Sequence, residues 1–292
     1  MKEAVNFYLP DFYVNYRLNY NLCILLNEHP EYFYNIKIKS IYGCFPGQIW
    51  NGGRFFPLVK TDIDNIYNTI RGFNNLGVSI RFTYTNCLIE PQHLDNILCN
   101  IVTELGNNSI NEILCNSEIL ETYLRDKYKN YSYILSTTKG IMDIDDINDL
   151  CNKYSLVIPD YKVNNNFNLL ENIKDKFKIE LLLNAYCSGD CLVRQLHYQR
   201  LSKYNLGYSD NNEEPLDCKR LPNFYEVLKS PLTIKVEDLY GKYYDLGYRH
   251  FKIEGRTENI ADIADSYVYY MVLPEHRDYI RNKLIKYHLN DY

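Results

Sequence analysis

A (β/α)8 barrel is the fold this sequence predicts, and three observations predict it. Short runs rich in β-branched and aromatic residues alternate with amphipathic segments along most of the chain, the pattern of repeated βα units and hence of a parallel sheet. Eight such runs can be counted. A length of 292 residues is one that α/β barrels fill as a single unit. The expected organisation is therefore one barrel domain over 1–292, with a long excursion at 201–236 and closing helices at 259–287.

Taken in order, the strands are expected at 5–9, 36–42, 78–85, 112–115, 131–136, 156–159, 179–184 and 250–253. Between the second and third lies TDIDNIYNTIRGFNNLG. There Thr61 can cap a helix, Ile63, Ile66, Tyr67, Ile70 and Phe73 share one face, and Gly77 can take a left-handed exit conformation. EPQHLDNILCNIVTELG repeats this logic with Leu94, Ile97, Leu98, Ile101 and Leu105, stopping at Gly106. SEILETYLRDKY supplies a shorter helix after the fourth strand. The polar stretch 201–236, carrying Asn-Asn-Glu-Glu-Pro, separates the seventh strand from the eighth, and an excursion of that length is usually functional or covers a site. The tail reads as two helices broken near Pro274.

Bulk properties exclude some functions. At 46% apolar the chain can bury a sizeable core, yet no segment has the uncharged apolar length of a membrane span. The opening MKEAVNFYLPDFYVNYR lacks the basic patch and long apolar stretch of a secretory signal, so the cytoplasm is the expected compartment. In that reducing setting nine cysteines are not expected to form structural disulfides. A net charge of −5, with lysines dispersed among acids, offers no basic stripe for nucleic acid. Thirty tyrosines against one tryptophan, with abundant Asn, Ile and Lys, read as compositional bias rather than a functional surface.

In such barrels chemistry sits at the C-terminal ends of the strands. Cys44 follows the second strand, Cys87 the third and Cys187 the seventh; Cys191 comes just after, and Cys218 lies in the excursion. Cys23, Cys99 and Cys151 on helix patterns, and Cys115 at a strand end, read as small buried hydrophobes. The Cys187-Ser-Gly-Asp-Cys191 loop differs, because its small residues permit a tight turn that aims two thiolates at one centre. Zinc ribbons usually bring paired Cys-x2-Cys knuckles, whereas iron–sulfur clusters tolerate scattered ligands. The three-cysteine loop of radical S-adenosylmethionine enzymes does not fit this spacing.

The stretch ELLLNAYCSGDCLVRQLHYQR resembles the Asn-Glu-Gly-Cys-x-x-x-Cys-Pro-x-Arg-x-x-His segment of the collagenase-like peptidase family U32, with Asn184, Cys187, Cys191, Arg194 and His197 in order. A second stretch, KSPLTIKVEDLYGKYYDLGYRHFKIEGRTENIADI, is similar to the family's Ser-Pro and Glu-Asp-Leu followed by Phe-Lys-Ile-x-Gly-Arg, placing Lys252, Ile253, Gly255 and Arg256 in register. IYGCFPGQIWNGGR, TNCLIE, Asn116 and Ser136 are weaker echoes. The chain departs from the pattern at Leu192, where proline is usual, at Ala185-Tyr186, and at Cys44, where many relatives have serine.

The resemblance implies a barrel whose four cysteines hold a 4Fe-4S cluster, here Cys87, Cys187, Cys191 and Cys218, with Cys44 as the rival to Cys87. It also implies oxygen-independent hydroxylation or modification of an RNA, a quinone precursor or a peptide. Three alternatives stand beside it: a metal-independent peptidase, a non-catalytic cluster-bearing partner of a homologous subunit, and a zinc-stabilised barrel. No peptidase constellation is visible in the sequence, since only His197 lies near a candidate cysteine.

Five residues are candidates for substrate binding: Arg256, Glu254, Lys252, Arg194 and His197. Arg256 sits at the mouth of the eighth strand, where a guanidinium can clamp a carboxylate or phosphate, or else pair with Glu254 or a loop acid. Lys252 and Glu254 alternate with Ile253 and so can both face the barrel's upper layer. Arg194 and His197 are spaced to share a helical face, where His197 can hydrogen-bond sulfur or cap a turn. Arg54 is expected to be a surface arginine.

Overall fold

Alternate residues of each strand divide between two cores, and that division builds the molecule. In the computed structural model, which describes residues 3–54, 62–208, 215–256 and 258–289 (side chains to 286), Phe7 and Leu9 face an outer core shared with the helices. Tyr8, between them, joins Leu114, Ile134, Leu156 and Ile158 inside the barrel. The strands are β1 (Val5–Pro10), β2 (Ile36–Gly43), β3 (Ser79–Tyr84), β4 (Glu112–Cys115), β5 (Ser132–Leu135), β6 (Leu156–Val157), β7 (Glu180–Leu182) and β8 (His250–Lys252). All pairings are parallel, in the order β6-β5-β4-β3-β2-β1-β8-β7. A parallel bridge between Val157 and Ile179 brings the two outer strands together, so the sheet is a nearly closed (β/α)8 barrel.

The helices follow the strands: α1 (Tyr16–Glu28), α2 (Ile63–Asn75), α3 (Ile97–Leu105), α4 (Glu118–Lys127), α5 (Ile144–Leu150), α6 (Phe167–Asn172) and α7 (Arg194–Asn205). The excursion contains α8 (Phe224–Lys229). Two short turns, α9 (Val236–Asp238) and α10 (Tyr244–Leu246), flank a π-helical stretch before β8. The tail forms α11 (Ile260–Met271) and α12 (Arg277–Leu289), parted by the turn at Pro274.

Two helix faces differ from expectation. In α2 the cap is Asp62, whose carboxylate accepts from the Asp64 amide, and Thr61 lies outside the described residues. Ile66, Ile70 and Phe73 pack inward, Gly77 exits at φ 73°, but Tyr67 is 45% exposed. In α3 the buried residues are Cys99, Val102 and Thr103, and Ile97 is 76% exposed. The reason is local. Apolar residues surround this helix on both sides, and the Thr103 hydroxyl selects the inward face by donating to Cys99 O at 2.6 Å and meeting Tyr84 Oη at 2.8 Å.

The barrel floor holds a buried ion network, in which Arg81 Nη2 alone of the guanidinium nitrogens has no hydrogen-bond partner among the described residues. Arg81, fully buried, donates to Glu112 at 2.8 Å and to both carboxylate oxygens of Glu180 at 2.7 and 2.8 Å, with its guanidinium 4.1 Å from the Tyr8 ring centroid. Charges buried this way are tolerated because each has hydrogen-bonded partners of opposite sign.

Candidate functional site: three thiols at a cationic cavity

Main-chain pairing explains how Cys218 meets a loop so far away in sequence. After β7 the chain turns through Tyr186 and Cys187, and residues 218–221 run back alongside. Leu221 N donates to Tyr186 O at 2.8 Å, Ser188 N donates to Lys219 O at 2.9 Å, and Cys187 bridges Arg220 in antiparallel fashion. Cys191 N then donates to Ser188 O at 3.1 Å, closing the tight turn that Ser-Gly-Asp allows. The result is a group of three sulfurs, Cys187, Cys191 and Cys218, all within 4.8 Å of one another. Such a group can hold a metal ion.

The other cysteines lie elsewhere. Cys87 Sγ is 3.4 Å from Ser202 Oγ on α7, outside the three-thiol group. Cys44 is fully buried near Thr83 and Arg256, and burial pushes its thiol up to about 12. Cys23, Cys99, Cys115 and Cys151 are buried, as small hydrophobes would be. All nine are free thiols.

Beside the three thiols opens a cavity of about 400 Å³, lined at its rim by Cys187 and Cys218. All five predicted binding residues, Arg194, His197, Lys252, Glu254 and Arg256, also line it. Asn184 ties the ends of β7 and β8 together: its Nδ2 donates to Glu254 O at 3.0 Å and its Oδ1 accepts from Glu254 N at 2.7 Å. Glu254 accepts from Tyr186 N at 3.2 Å and does not pair with Arg256. Arg256 Nη1 donates to Thr83 Oγ1 at 3.1 Å, and its guanidinium lies 5.7 Å from the Tyr42 ring centroid. A Cβ on Gly53 would collide with Arg256 Nη2, so glycine there lets the guanidinium rest on the loop.

The remaining cations differ in how they are held. Arg194 donates to Asp160 Oδ2 at 2.5 Å and stacks 4.5 Å from the Tyr161 ring centroid. Arg220 pairs with Glu258. Arg54 pairs with the buried Asp11, so it is a partly buried rim residue rather than the surface arginine expected. Lys252 Nζ rests 3.9 Å from the Tyr42 ring centroid, and burial lowers its pKa, opposed by Glu180 and reinforced by Arg81 and Arg256. Burial, with Arg220, Arg194 and Arg200, lowers the His197 pKa as well. Burial likewise pushes the Cys187 thiol up to about 12, with Glu254 adding to it and Arg194 opposing. Arg194 Nε and Tyr186 Oη are buried without a hydrogen-bond partner among the described residues.

Sequence reasoning missed Arg220, Thr83, and the tyrosines Tyr42, Tyr161 and Tyr198, which also line the cavity. Arg220 stands two residues after Cys218, a spacing that could have flagged it. The tyrosines carried no signal among thirty.

The fold and site define a class: a (β/α)8 barrel with a thiol-rimmed, arginine-lined cavity on the side where the strands end. No family model matches the sequence, and no curated protein matches it. Among solved structures the chain is similar to the U32 peptidase Mk0906, with a TM-score of 0.54 at 11% identity, covering 87% of this chain and 94% of that one. The chain has the fold of a U32 peptidase. No helix among the described residues is long and apolar enough to cross a membrane.

Proposed function

We propose that this protein is an iron–sulfur enzyme of the U32 type, holding a 4Fe-4S cluster on Cys187, Cys191 and Cys218 and modifying a substrate in the adjoining cavity without molecular oxygen. The observation that carries this reading is the convergence of three sulfurs, from two separate segments, within 4.8 Å at the rim of that cavity. The donor set fits the group: three soft thiols, with Arg194 and Arg220 close enough to offset thiolate charge. The unpartnered Arg194 Nε, on a side chain that acts on the Cys187 thiol, is the kind of buried polar atom a bound group satisfies. A bound cluster supplies one-electron redox chemistry next to the substrate. The chain's own residues do the rest: Arg256 orients an anionic group, and the rings of Tyr42, Tyr161 and Tyr198 keep water out.

Cys87 would have to leave Ser202 to become a fourth ligand, so the reading adopted is a cluster that Cys187, Cys191 and Cys218 would hold. The substrate is a small molecule, peptide or RNA, and the compartment a reducing one in which nine free thiols persist. A homologous subunit remains the partner the resemblance suggests.

Zinc is a second reading with an observation of its own. Zn–S bonds of about 2.3 Å set two thiolates of one tetrahedral ion roughly 3.8 Å apart, which the 4.8 Å limit admits. The peptidase reading rests on the names of the family it resembles and of its structural neighbour, because among the described residues no serine or cysteine side chain is hydrogen-bonded to a histidine. Anaerobic purification followed by iron, zinc and inorganic sulfide analysis separates these. Iron with sulfide supports the cluster, zinc alone replaces it, and casein turnover by metal-free protein returns the peptidase.

A further inference from the structure

Lys252 is a second chemical centre in the cavity, separate from the thiols. Its side chain is only 5% exposed, yet it lines the cavity wall and packs against Tyr42. Among the described residues its Nζ donates to no acceptor and makes no ion pair within bonding distance: Glu180, the nearby carboxylate, is bonded through both oxygens to Arg81, and Glu254 accepts from the Tyr186 amide. A buried ammonium without a hydrogen-bonded counter-ion is costly, and the neutral amine is the cheaper form. The lowered pKa of Lys252 agrees with that geometry. A neutral lysine amine that reaches a cavity is a nucleophile for carbonyl carbon. Arg256 lies against the same Tyr42 ring, and among the described residues its guanidinium is engaged by a single hydroxyl, which leaves donors to clamp a carboxylate.

We propose that Lys252 forms an imine with the carbonyl carbon of a small oxo acid whose carboxylate is held by Arg256. In this step Nζ adds to the carbonyl carbon and a C=N bond replaces C=O. The carbonyl oxygen leaves as water with the two amine hydrogens, so no oxidant or reductant is consumed. The inference stands apart from any metal at the thiols.

Borohydride trapping tests it. The full chain is incubated with pyruvate and sodium borohydride, which reduces an imine to a stable secondary amine, and the adduct is mapped by peptide mass spectrometry. The expected result is an adduct on Lys252 forming faster than on the exposed Lys229. Acetone, which lacks the carboxylate, and the Arg256→Gln variant should each slow labelling about tenfold, the worth of a charge-assisted hydrogen bond. Lys252→Arg should abolish the adduct, and Cys99→Ala, whose cysteine is packed in the outer core away from the cavity, should label as wild type does. No adduct on Lys252 in the wild-type chain, or labelling no faster than at Lys229, overturns the proposal without requiring any variant to fold. Equal labelling by acetone and pyruvate overturns the role given to Arg256.

Discussion

The barrel interior carries cations at both ends but treats them differently. At the floor, Arg81 is enclosed by Glu112, Glu180 and the Tyr8 ring, with bonds of 2.7 to 2.8 Å. At the mouth, among the described residues, Arg256 holds one threonine hydroxyl and Lys252 rests on the face of Tyr42 without a hydrogen bond. The same interior position in the sequence pattern therefore serves structure below and leaves chemistry available above. What distinguishes the two is not burial, since Arg81 and Lys252 are both buried, but whether a carboxylate is spent on the cation.

The largest expected effect lies at the floor. Glu180→Ala strands part of the Arg81 charge in the interior, and breaking such a buried pair should lower unfolding free energy by about 3–5 kcal/mol, measured as a drop in the urea midpoint. A loss under 1 kcal/mol would mean that the floor network is no more structural than the mouth.

Acid should expose the floor next. His250 Nδ1 meets Tyr8 Oη at 2.6 Å, and burial holds the tyrosine well above its usual pKa, so the hydroxyl stays neutral. Burial, with Arg81 and Lys39, pushes His250 down to about 4 from an ordinary 6.5. Below the ordinary value the unfolded chain takes up a proton that the folded chain refuses, so stability falls as pH drops through that window and levels off below about 4. The full loss from this group is about 3 kcal/mol, and His250→Gln should flatten that limb of urea midpoint against pH.

At the mouth the expected change is smallest. Lys252→Met should shift stability by less than about 1 kcal/mol in either direction, because a methionine fills similar volume and no ion pair is broken. A loss as large as that of Glu180→Ala would erase the contrast between the two ends.

Much of this was legible in sequence for reasons that can be traced. The eight strands were legible because each is a short run rich in β-branched or aromatic residues whose outward side chains pack on the helices, and all eight overlap the expected runs. The Cys187-x3-Cys191 pair was legible from its small intervening residues, and Lys252, Glu254 and Arg256 from their position at a strand end. The face of α3 was not, because Ile97, Ile101, Cys99 and Val102 make both sides apolar and only the Thr103 hydroxyl bonds choose between them. Nor was the pairing of residues 218–221 with 186–188, which depends on backbone hydrogen bonds that carry no side-chain signature. The separation of Cys87 from the thiols follows from its contact with Ser202, a residue on α7 that no local pattern could link to it.

The most direct test of the rim thiols compares metal and inorganic sulfide in anaerobically purified wild type, Cys191→Ala and Cys99→Ala. The account predicts iron and sulfide in the wild type and in Cys99→Ala, whose cysteine is packed in the outer core, and their loss in Cys191→Ala with the fold retained. Wild-type protein that stays free of iron after reconstitution, or an iron content unchanged by Cys191→Ala, would contradict it.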